Sequence, residues 1–412
     1  MGTRGRQNYD VVIIGAGPSG AVAAALLQRK FLSVLVLERQ QFPRFSIGES
    51  LLPHCMDFLQ QAGMLESVKQ AGFQPKNGAA FRQGDDYESF DFGDKSCIGW
   101  DQTYQVERAR FDKILADEAE RQGVEIRYRN TITAFQSNGG TARLGVTGAD
   151  GQAYEVDAGF VLDASGFGRV LARLLDLERP SGFIPRSSIF THVSDHISAD
   201  WYDRNKILVH VHPRQADIWY WMIPFSGGRA SIGVIAPTDV LAEIPGDDQS
   251  RLRQLVAQVP DKAELLANAE YDSPVGSIEG YACDVSRLHG DNFALLGNAG
   301  EFLDPVFSSG VTIALKSASL AAETVARQLA GSQPDWNLEY AQPLKQGVDT
   351  FREFVGAWYD GRLQDIFFSN NKSEKVRGMI CSVLAGYVWD ADNPFVQKPA
   401  RLNALAELCR AD

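Results

Sequence analysis

Residues 10–20, DVVIIGAGPSG, decide the fold of this chain. The apolar run predicts a buried strand, and the alanine-rich stretch after the glycines predicts a helix. Between them Gly15 permits a tight turn, Gly17 lets the backbone approach a pyrophosphate, and Gly20 lets the helix pack closely on the strand. The first N–H groups of the helix, near Ser19, then face the phosphates. This spacing predicts a dinucleotide-binding turn.

The second strand of the same unit is predicted at residues 33–38, SVLVLE. Its last residue, Glu38, stands about 20 residues after the glycines, where a carboxylate binds a ribose 2′-hydroxyl. Arg39 follows and is expected to reach the adenosine side of the ligand. The alternative is a structural glycine turn, but strand, helix and terminal acid in this register favour dinucleotide binding.

Length and composition indicate a globular protein with two domains or one elaborated domain. The chain has 412 residues, of which 44% are hydrophobic and 22% are charged. Its net charge of −12 argues against a nucleic-acid partner or an anionic membrane surface. No stretch approaches the roughly 18 apolar residues of a membrane span, so we expect none. The histidines lack metal-ligand spacing, and we expect no metal site.

Cysteine usage and the N-terminus indicate the compartment. The five cysteines form no CxxC pair, which is typical of reduced thiols. The N-terminal stretch MGTRGRQNYD lacks the apolar run of a signal peptide. We therefore expect a cytoplasmic protein, and the sequence leaves its oligomeric state open.

Three later segments follow one another in the order found in a known superfamily. They are VERARFDKIL at 106–115, FVLDASGFGR at 160–169 and FALLGNAGEFLDPVFSSGV at 293–311. With the N-terminal unit they resemble the FAD fingerprints of glutathione-reductase-like flavoproteins and flavin hydroxylases. The resemblance implies FAD as the cofactor, with further contacts from Ser50, Arg108, Asp163, Gly166, Asn298, Asp304, Gly310 and Val311. Asn298 replaces the aspartate usual in its fingerprint, and an amide can still hydrogen-bond a ribityl hydroxyl.

The same resemblance implies how the chain is divided. We expect an α/β fold with a discontinuous, Rossmann-type FAD-binding domain, an inserted antiparallel β-sheet that forms the substrate domain, and a helical C-terminal region. The boundaries are 1–72, 107–182 and 286–332 for the FAD-binding domain, 73–106 and 183–285 for the β-rich substrate domain, and 333–412 for the C-terminal region.

Three motifs narrow the chemistry. WYWMIP at 219–224 matches the WxWxIP signature of flavin-dependent halogenases at every specified position, and GESLLP at 48–53 and FLDPVFSSGV at 302–311 match that family too. The chain thus resembles the phenol- and pyrrole-type halogenases, in which reduced FAD (FADH2) and O2 oxidise a halide to hypohalous acid. The resemblance implies chloride or bromide as co-substrate and halide contacts from Ser309 and Gly310.

Two tryptophans of WYWMIP are candidates for a role in catalysis. Trp219 and Trp221 occupy alternate positions of a predicted strand, so their indoles face the same side. We expect a rigid apolar wall that keeps the substrate away from the flavin and excludes water. The alternative is an aromatic stripe that only packs in the core.

Lys76, in FQPKNGAAF at 73–81, lies about where family members carry the reactive lysine. A lysine can hydrogen-bond hypohalous acid or form a haloamine, and burial favours the neutral amine. The alternative is a solvated lysine beside a proline turn. Glu49 is the other catalytic candidate, which could orient the lysine or hold a water. Its alternative role is to cap a helix that begins at Leu51.

The resemblance also implies the partners. We expect a phenolic or pyrrolic substrate, free or tethered to an acyl or peptidyl carrier protein, rather than free tryptophan, because the longer C-terminal region of tryptophan halogenases has no obvious equivalent. No second G-x-G-x-x-G follows a strand, so NAD(P)H either binds without that fold or another protein supplies reduced FAD; we expect a flavin reductase. Three alternatives stay open: an aromatic monooxygenase, a geranylgeranyl-reductase-like flavoprotein and a non-catalytic flavin-binding protein.

Overall fold

The computed structural model describes residues 7–369 and 373–410, and it confirms the predicted α/β fold with C-terminal helices. Most of the N-terminal stretch considered for a signal peptide, residues 1–6, lies outside this range. None of the described helices is long and apolar enough to cross a membrane.

The described residues form 19 strands: β1 (Gln7–Ile14), β2 (Val34–Glu38), β3 (Gln74–Lys76), β4 (Gly78–Gln83), β5 (Asp86–Asp91), β6 (Thr103–Gln105), β7 (Glu125–Tyr128), β8 (Thr131–Asn138), β9 (Thr141–Thr147), β10 (Ala153–Asp163), β11 (Glu178–Pro180), β12 (Arg186–Ser194), β13 (Lys206–Val211), β14 (Trp219–Phe225), β15 (Arg229–Pro237), β16 (Gly276–Glu279), β17 (Cys283–Val285), β18 (His289–Gly290) and β19 (Phe293–Leu295).

The same residues form 14 α-helices: α1 (Pro18–Gln28), α2 (Cys55–Gln61), α3 (Leu65–Gln70), α4 (Arg108–Arg121), α5 (Val170–Leu174), α6 (Thr238–Glu243), α7 (Asp248–Val256), α8 (Pro260–Leu265), α9 (Ser309–Leu329), α10 (Gln342–Tyr359), α11 (Arg362–Phe368), α12 (Glu374–Leu384), α13 (Pro394–Gln397) and α14 (Arg401–Arg410).

The first sheet is built around β1, the strand of the glycine motif. Its central strands are parallel and lie in the order β19-β10-β1-β2-β7, and an antiparallel β8–β9 hairpin joins beside β10. Both faces of β1 are buried: Val11 and Ile13 pack with α1 and α9, whereas Val12 packs with the hairpin. The carboxyl ends of β1, β2 and β10 therefore meet at one edge, where dinucleotides bind in open parallel sheets.

The second sheet has the order β16-β12-β15-β14-β13-β4-β5. Its neighbours are antiparallel, as predicted, except β13 and β4, which are parallel because β4 enters the sheet from an earlier segment of the chain. On β14, Trp219, Trp221 and Ile223 face the core shared with the first sheet, while Tyr220 and Met222 face a second core beside α7 and α8. The predicted common orientation of the two indoles is confirmed.

Helices of the C-terminal region close the molecule over the second sheet. On α10, Trp358 packs against Phe81 of β4 with ring centroids 5.7 Å apart, and Phe354 meets Phe307 at 6.1 Å. The helical character of this region is confirmed. The exact division into three units at the boundaries given above stays a prediction.

Gly20→Ala tests the close approach of α1 to β1. A methyl group built on Gly20 lies 2.0 Å from the carbonyl oxygen of Gly15, which belongs to the backbone of the turn. We expect the variant to lose at least about 2 kcal/mol of free energy of unfolding and to retain less FAD on purification. Gly182→Ala is the control, because a methyl group there has no neighbour within 4 Å. Equal urea midpoints and equal flavin content in the two variants would contradict this role.

Candidate active site

A cavity of about 450 Å³ opens at the carboxyl edge of the first sheet and extends to the indoles of the second. Most of the predicted site residues line it: Gly15, Gly17, Ser19, Glu38, Arg39, Glu49, Ser50, Arg108, Gly166, Trp219, Trp221, Asn298, Gly310 and Val311. Five others are buried outside its lining: Gly20, Lys76, Asp163, Asp304 and Ser309. The fold therefore brings distant segments of the chain to one cavity.

The glycine turn forms one end of this cavity. Gly15 has a φ of +98°, and α1 begins at Pro18, so the first N–H groups of the helix lack helical acceptors. A methyl group built on Gly17 meets nothing closer than Arg44 Nη2 at 3.5 Å, which leaves a backbone cradle for a phosphate. Arg44 also lines the cavity and pairs with Asp112 at 2.8 Å. Arg44 lies outside the motifs considered above, although FPRF places a cation four positions before GESLLP.

Glu38 ends β2 beside the glycine turn. Its Oε2 accepts the N–H of Ala16 at 2.9 Å, and its Oε1 accepts the N–H of Gln40 at 2.8 Å. Each carboxylate oxygen has a second acceptor site. Glu38 can therefore hold the turn and accept a ribose hydroxyl at the same time.

Arg108 holds the loop that carries GESLLP. Its guanidinium makes a bidentate pair with Asp112, at 2.7 and 3.0 Å, and donates to the carbonyl oxygens of Ile47 at 2.6 Å and Gly48 at 3.2 Å. Charge-assisted, bidentate contacts of this kind fix geometry. Arg108 thereby keeps Glu49 at the cavity wall.

Asp163 and Asp304 hold turns behind the cavity wall. Asp163 accepts the N–H of Ser165 at 2.9 Å and of Leu171 at 2.6 Å, and burial raises the pKa of its carboxyl. It thereby shapes the loop whose Gly166 reaches the cavity. Direct cofactor contacts from these two carboxylates stay a prediction.

Glu49, which is buried, pairs with the partly buried His192 of β12, a residue outside every motif considered above. Glu49 Oε1 accepts a hydrogen bond from His192 Nε2 at 2.7 Å, and Glu49 Oε2 has no hydrogen-bond partner among the described residues. Burial opposes the imidazolium, but the hydrogen bond and the charge of Glu49 outweigh it and raise the pKa of His192. The pair therefore places a shared proton beside the cavity.

The alternative role of Glu49 as a helix cap is wrong. The next helix, α2, begins at Cys55 and not at Leu51, and its N-cap residue is His54. Pro53 explains the delay, because the residue before a proline is disfavoured in the helical conformation.

Each indole of β14 is anchored by its own hydrogen bond. Trp219 Nε1 donates to the hydroxyl of Tyr359 at 2.9 Å, and Trp221 Nε1 donates to Ser231 Oγ at 3.0 Å. The ring of Trp221 lies over Gly233 of β15, where an added methyl group would lie 2.2 Å from it. The two rings are thus a fixed apolar surface of the cavity.

The Ser-Ser-Gly turn leads into the N-terminus of α9. Ser308 adopts the left-handed conformation, with φ of +56° and ψ of +26°, and α9 begins at Ser309. The N–H groups of the first helical turn lack helical acceptors and lie at the positive end of the helix dipole. Ser308 and Gly310 line the large cavity, so this turn presents donors for an anion there.

Lys76 lines a separate, small cavity. The lysine is 1% exposed, and its Nζ donates to the carbonyl oxygen of Leu51 at 2.8 Å. Burial lowers the pKa of Lys76 to about 7, so the neutral amine is abundant near neutral pH. The solvated-lysine alternative is therefore wrong.

The small cavity at Lys76 measures about 10 Å³, which is room for one water-sized molecule. Its remaining walls are Leu52, Ala79, Phe81, Ile207, Val209, Val306, Phe307, Ser308 and Leu384.

The two cavities share Ile207 and Ser308. Trp221 and Val209 are cross-strand neighbours, so their side chains lie on one face of the second sheet. Lys76 ends β3, two positions before β4 begins, and β4 pairs with β13, the neighbour of β14. β14 and β4 are therefore two strand spacings apart, roughly 10 Å. Ile207 and Ser308, rather than the indoles, divide the two cavities.

The residues of the large cavity fit FAD. The glycine turn and the N-terminus of α1 suit a pyrophosphate, and Glu38 suits a ribose. The indoles give the other end an apolar surface for a flat ring, and the amide of Asn298 supplies a polar group nearby.

Comparison with known proteins agrees with this geometry. Residues 8–345 match the family model of the FAD binding domain. The 1H-pyrrole-2-carbonyl-[peptidyl-carrier protein] chlorinase of Pseudomonas fluorescens is 28% identical, and the match covers 93% of this chain and 90% of that protein.

Two solved structures match over 98% of this chain. A flavoprotein/dehydrogenase from Cytophaga hutchinsonii is 43% identical, with a TM-score of 0.95 and 99% of its chain covered. The flavin-dependent brominase Bmp2 is 26% identical, with a TM-score of 0.82 and 100% of its chain covered. Both matches extend through the C-terminal helices.

Lys76→Met tests the buried amine through stability. In the unfolded state Lys76 keeps its proton up to a pKa of about 10.4, whereas in the folded state it releases the proton near 7. As the pH falls from about 10 to about 7, this one group favours unfolding by about 1.4 kcal/mol per pH unit. We expect the stability advantage of the variant over the wild type to be largest near pH 7 and smallest near pH 10.

Urea unfolding across this pH range measures the difference. Lys262→Met is the matched comparison, because Lys262 is also fully buried and burial lowers its pKa to about 7 as well. Each variant removes one buried amine, so each should remove a pH-dependent destabilisation of similar size. Parallel stability profiles for the wild type and Lys76→Met would rule out a desolvated amine at position 76.

Proposed function

This chain belongs to the FAD-binding domain family, among the flavin-dependent halogenases, and on that basis we propose that it uses reduced FAD, O2 and halide to halogenate an electron-rich aromatic ring. As a member of this family it is an FAD-dependent oxidoreductase.

One observation carries the proposal: a desolvated amine lies near the cofactor cavity but outside it. Lys76 has a pKa of about 7 and is separated from that cavity by Ile207 and Ser308. Desolvated lysines occur at reactive sites, and Lys76, unlike the equally buried Lys262, lines a cavity that shares two wall residues with the cofactor cavity. Lys76 lies on the far side of Ile207 and Ser308 from the cofactor cavity. This position suits a group that meets the oxidant after the oxidant has left the cofactor.

FAD, when bound and reduced, would supply two of the four electrons that O2 takes up; the halide would supply the other two, so that one oxygen atom ends in hypohalous acid and the other in water. The chain contributes the surroundings. The donors at the start of α9, at Ser309 and Gly310, bind the halide. The indoles of Trp219 and Trp221 exclude water from the cofactor side.

Lys76 receives the oxidant. Its amine already donates to Leu51, and the lone pair of the neutral form accepts the hydrogen of hypohalous acid. In the covalent variant the amine takes the halogen and water is released, which leaves a haloamine. The aromatic ring then exchanges its hydrogen for the halogen. Glu49, with its second oxygen unpartnered among the described residues, is available to hold a water or a proton near this path.

The substrate class follows from the relatives. The chlorinase of Pseudomonas fluorescens acts on a pyrrole-2-carbonyl group on a peptidyl carrier protein, so a pyrrolic or phenolic acyl group on a carrier is proposed here too. The cavity at Lys76 has room for one water-sized molecule, so a ring can approach the amine only if some of the side chains that line the cavity move. A flavin reductase in the cytoplasm is the proposed source of reduced FAD.

Product mass tests the activity. The protein is supplied with FAD, a flavin reductase, NADH, O2 and bromide, together with a panel of phenols and a pyrrole-2-carbonyl carrier protein. We expect a product with the isotope pair of bromine and a decrease of about 100-fold or more in Lys76→Ala. Lys262→Met should keep the product, because that equally buried amine lies 6.0 Å from the ring of Tyr220, on the opposite face of β14 from the indoles.

Each other outcome points to a different function. A hydroxylated product that forms without halide would identify an aromatic monooxygenase. Reduction of an alkene, with NADPH consumed and no reductase added, would identify a flavoprotein reductase. Undiminished bromination by Lys76→Ala would remove Lys76 from the mechanism.

The pH dependence of bromination provides a separate check. Burial lowers the pKa of Lys76 to about 7, so its reactive neutral form is lost as the pH falls below that value. We expect the rate of product formation to fall about tenfold per pH unit below pH 7, with the flavin reductase in excess so that it does not limit the rate. A rate that is flat between pH 5.5 and pH 8 would contradict a role for the neutral amine.

A further inference from the structure

We infer that the helical C-terminal region takes part in the site through Tyr359, a positioning residue that joins the Trp219 indole and the halide-binding turn in one hydrogen-bonded unit. This role rests on the proposed function and deepens it. Tyr359 lies outside every motif of the sequence, and it is the last residue of α10.

Tyr359 is held from three sides. Its hydroxyl accepts the N–H of Trp219 at 2.9 Å and donates to Asp304 Oδ2 at 2.8 Å. The guanidinium of Arg186 lies 3.5 Å from the centre of its ring. Burial and the charge of Asp304 raise the pKa of Tyr359 well above its usual value, so the phenol keeps its proton. The direction of both hydrogen bonds is therefore set, because the indole can only donate and the carboxylate can only accept.

Asp304 connects this tyrosine to the turn. Its Oδ2 also accepts the hydroxyl of Tyr281 at 2.9 Å, and its Oδ1 accepts the N–H of Val306 at 3.0 Å. The second bond caps the single 3-10 turn at Pro305–Phe307, which ends at the left-handed Ser308. The orientation of the carboxylate thus sets where the donors at the start of α9 point.

The end of α10 also contacts the second cavity. Trp358, next to Tyr359, packs against Phe81 at 5.7 Å and against Phe307 at 6.0 Å between ring centroids. Both phenylalanines line the cavity of Lys76. The end of α10 therefore contacts a wall of each cavity. Tyr359 bonds Trp219 in the large cavity, and Trp358 packs on Phe81 and Phe307 in the small one.

Tyr359→Phe tests this role, because it keeps the ring and its stacking on Arg186 but removes both hydrogen bonds. We expect the KM for halide to rise about tenfold, while the affinity for FAD and the KM for the aromatic substrate change less than about twofold. The indole N–H resonance of Trp219 in the ¹⁵N-tryptophan-labelled protein, assigned with Trp219→Phe, should shift because it loses its acceptor.

Tyr340→Phe is the matched control. Tyr340 is a buried tyrosine of the same C-terminal region, and its hydroxyl donates to the carbonyl oxygen of Leu295, away from the turn. Its loss should lower the melting temperature but leave both the KM for halide and the Trp219 resonance unchanged. A Tyr359→Phe variant that behaves like this control overturns the inference.

Failure of the proposed function is distinguishable from failure of this inference. If the wild type gives no halide-dependent product, the proposed function is lost, and the Trp219 resonance and a thermal double-mutant cycle still decide the role of Tyr359. If the changes in melting temperature caused by Trp219→Phe and Tyr359→Phe add up in the double variant, the role of Tyr359 is overturned. If the double variant departs from that sum, the coupling supports the role. If Tyr359→Phe does not fold, Asp304→Asn replaces it, and an unchanged Trp219 resonance in that variant would overturn the inference.

Discussion

The contact between Gly20 and the carbonyl group of Gly15 is the constraint on which the site depends. With no side chain at position 20, α1 begins directly at the end of β1 and directs its free N–H groups over the edge of the sheet. A methyl group would push the helix away from the strand and close the backbone cradle at Gly17. The same edge receives Glu38 from β2 and the 164–170 loop after β10, so one close packing contact brings three segments to one cavity.

One face of the second sheet lines two different cavities. Over β14 the indoles and the polar loops make a large cavity, and over β13 and β4 mostly apolar side chains make a small one. Burial lowers the pKa of Lys76 to about 7, and among the described residues its amine has one hydrogen-bond acceptor, the carbonyl oxygen of Leu51. The proposed role of Lys76 needs an amine that is close to the first cavity and shielded from water. The second sheet meets both needs because its face continues from the first cavity to the second.

Local pattern predicted more of the fold than of the site. The strand, glycine turn and helix at the N-terminus follow from short-range spacing, and so does the alternation along WYWMIP, because a strand has a period of two. The helix start at Leu51 was wrong because Pro53 delays it. His192 and Tyr359 could not be found, since their roles arise from contacts with residues more than a hundred positions away, Glu49 and Trp219.

Short-range sequence patterns specify the βαβ unit, the common face of the two indoles, the class of cofactor and the family. These depend on residue types at short, regular spacings, which local backbone geometry translates directly into structure. Packing between distant segments makes Lys76 buried, places Ile207 and Ser308 rather than the indoles between the two cavities, and brings the end of α10 against a wall of each cavity. Burial, pKa and the sharing of a wall between cavities are properties of packing between distant segments, and no spacing along the chain specifies them.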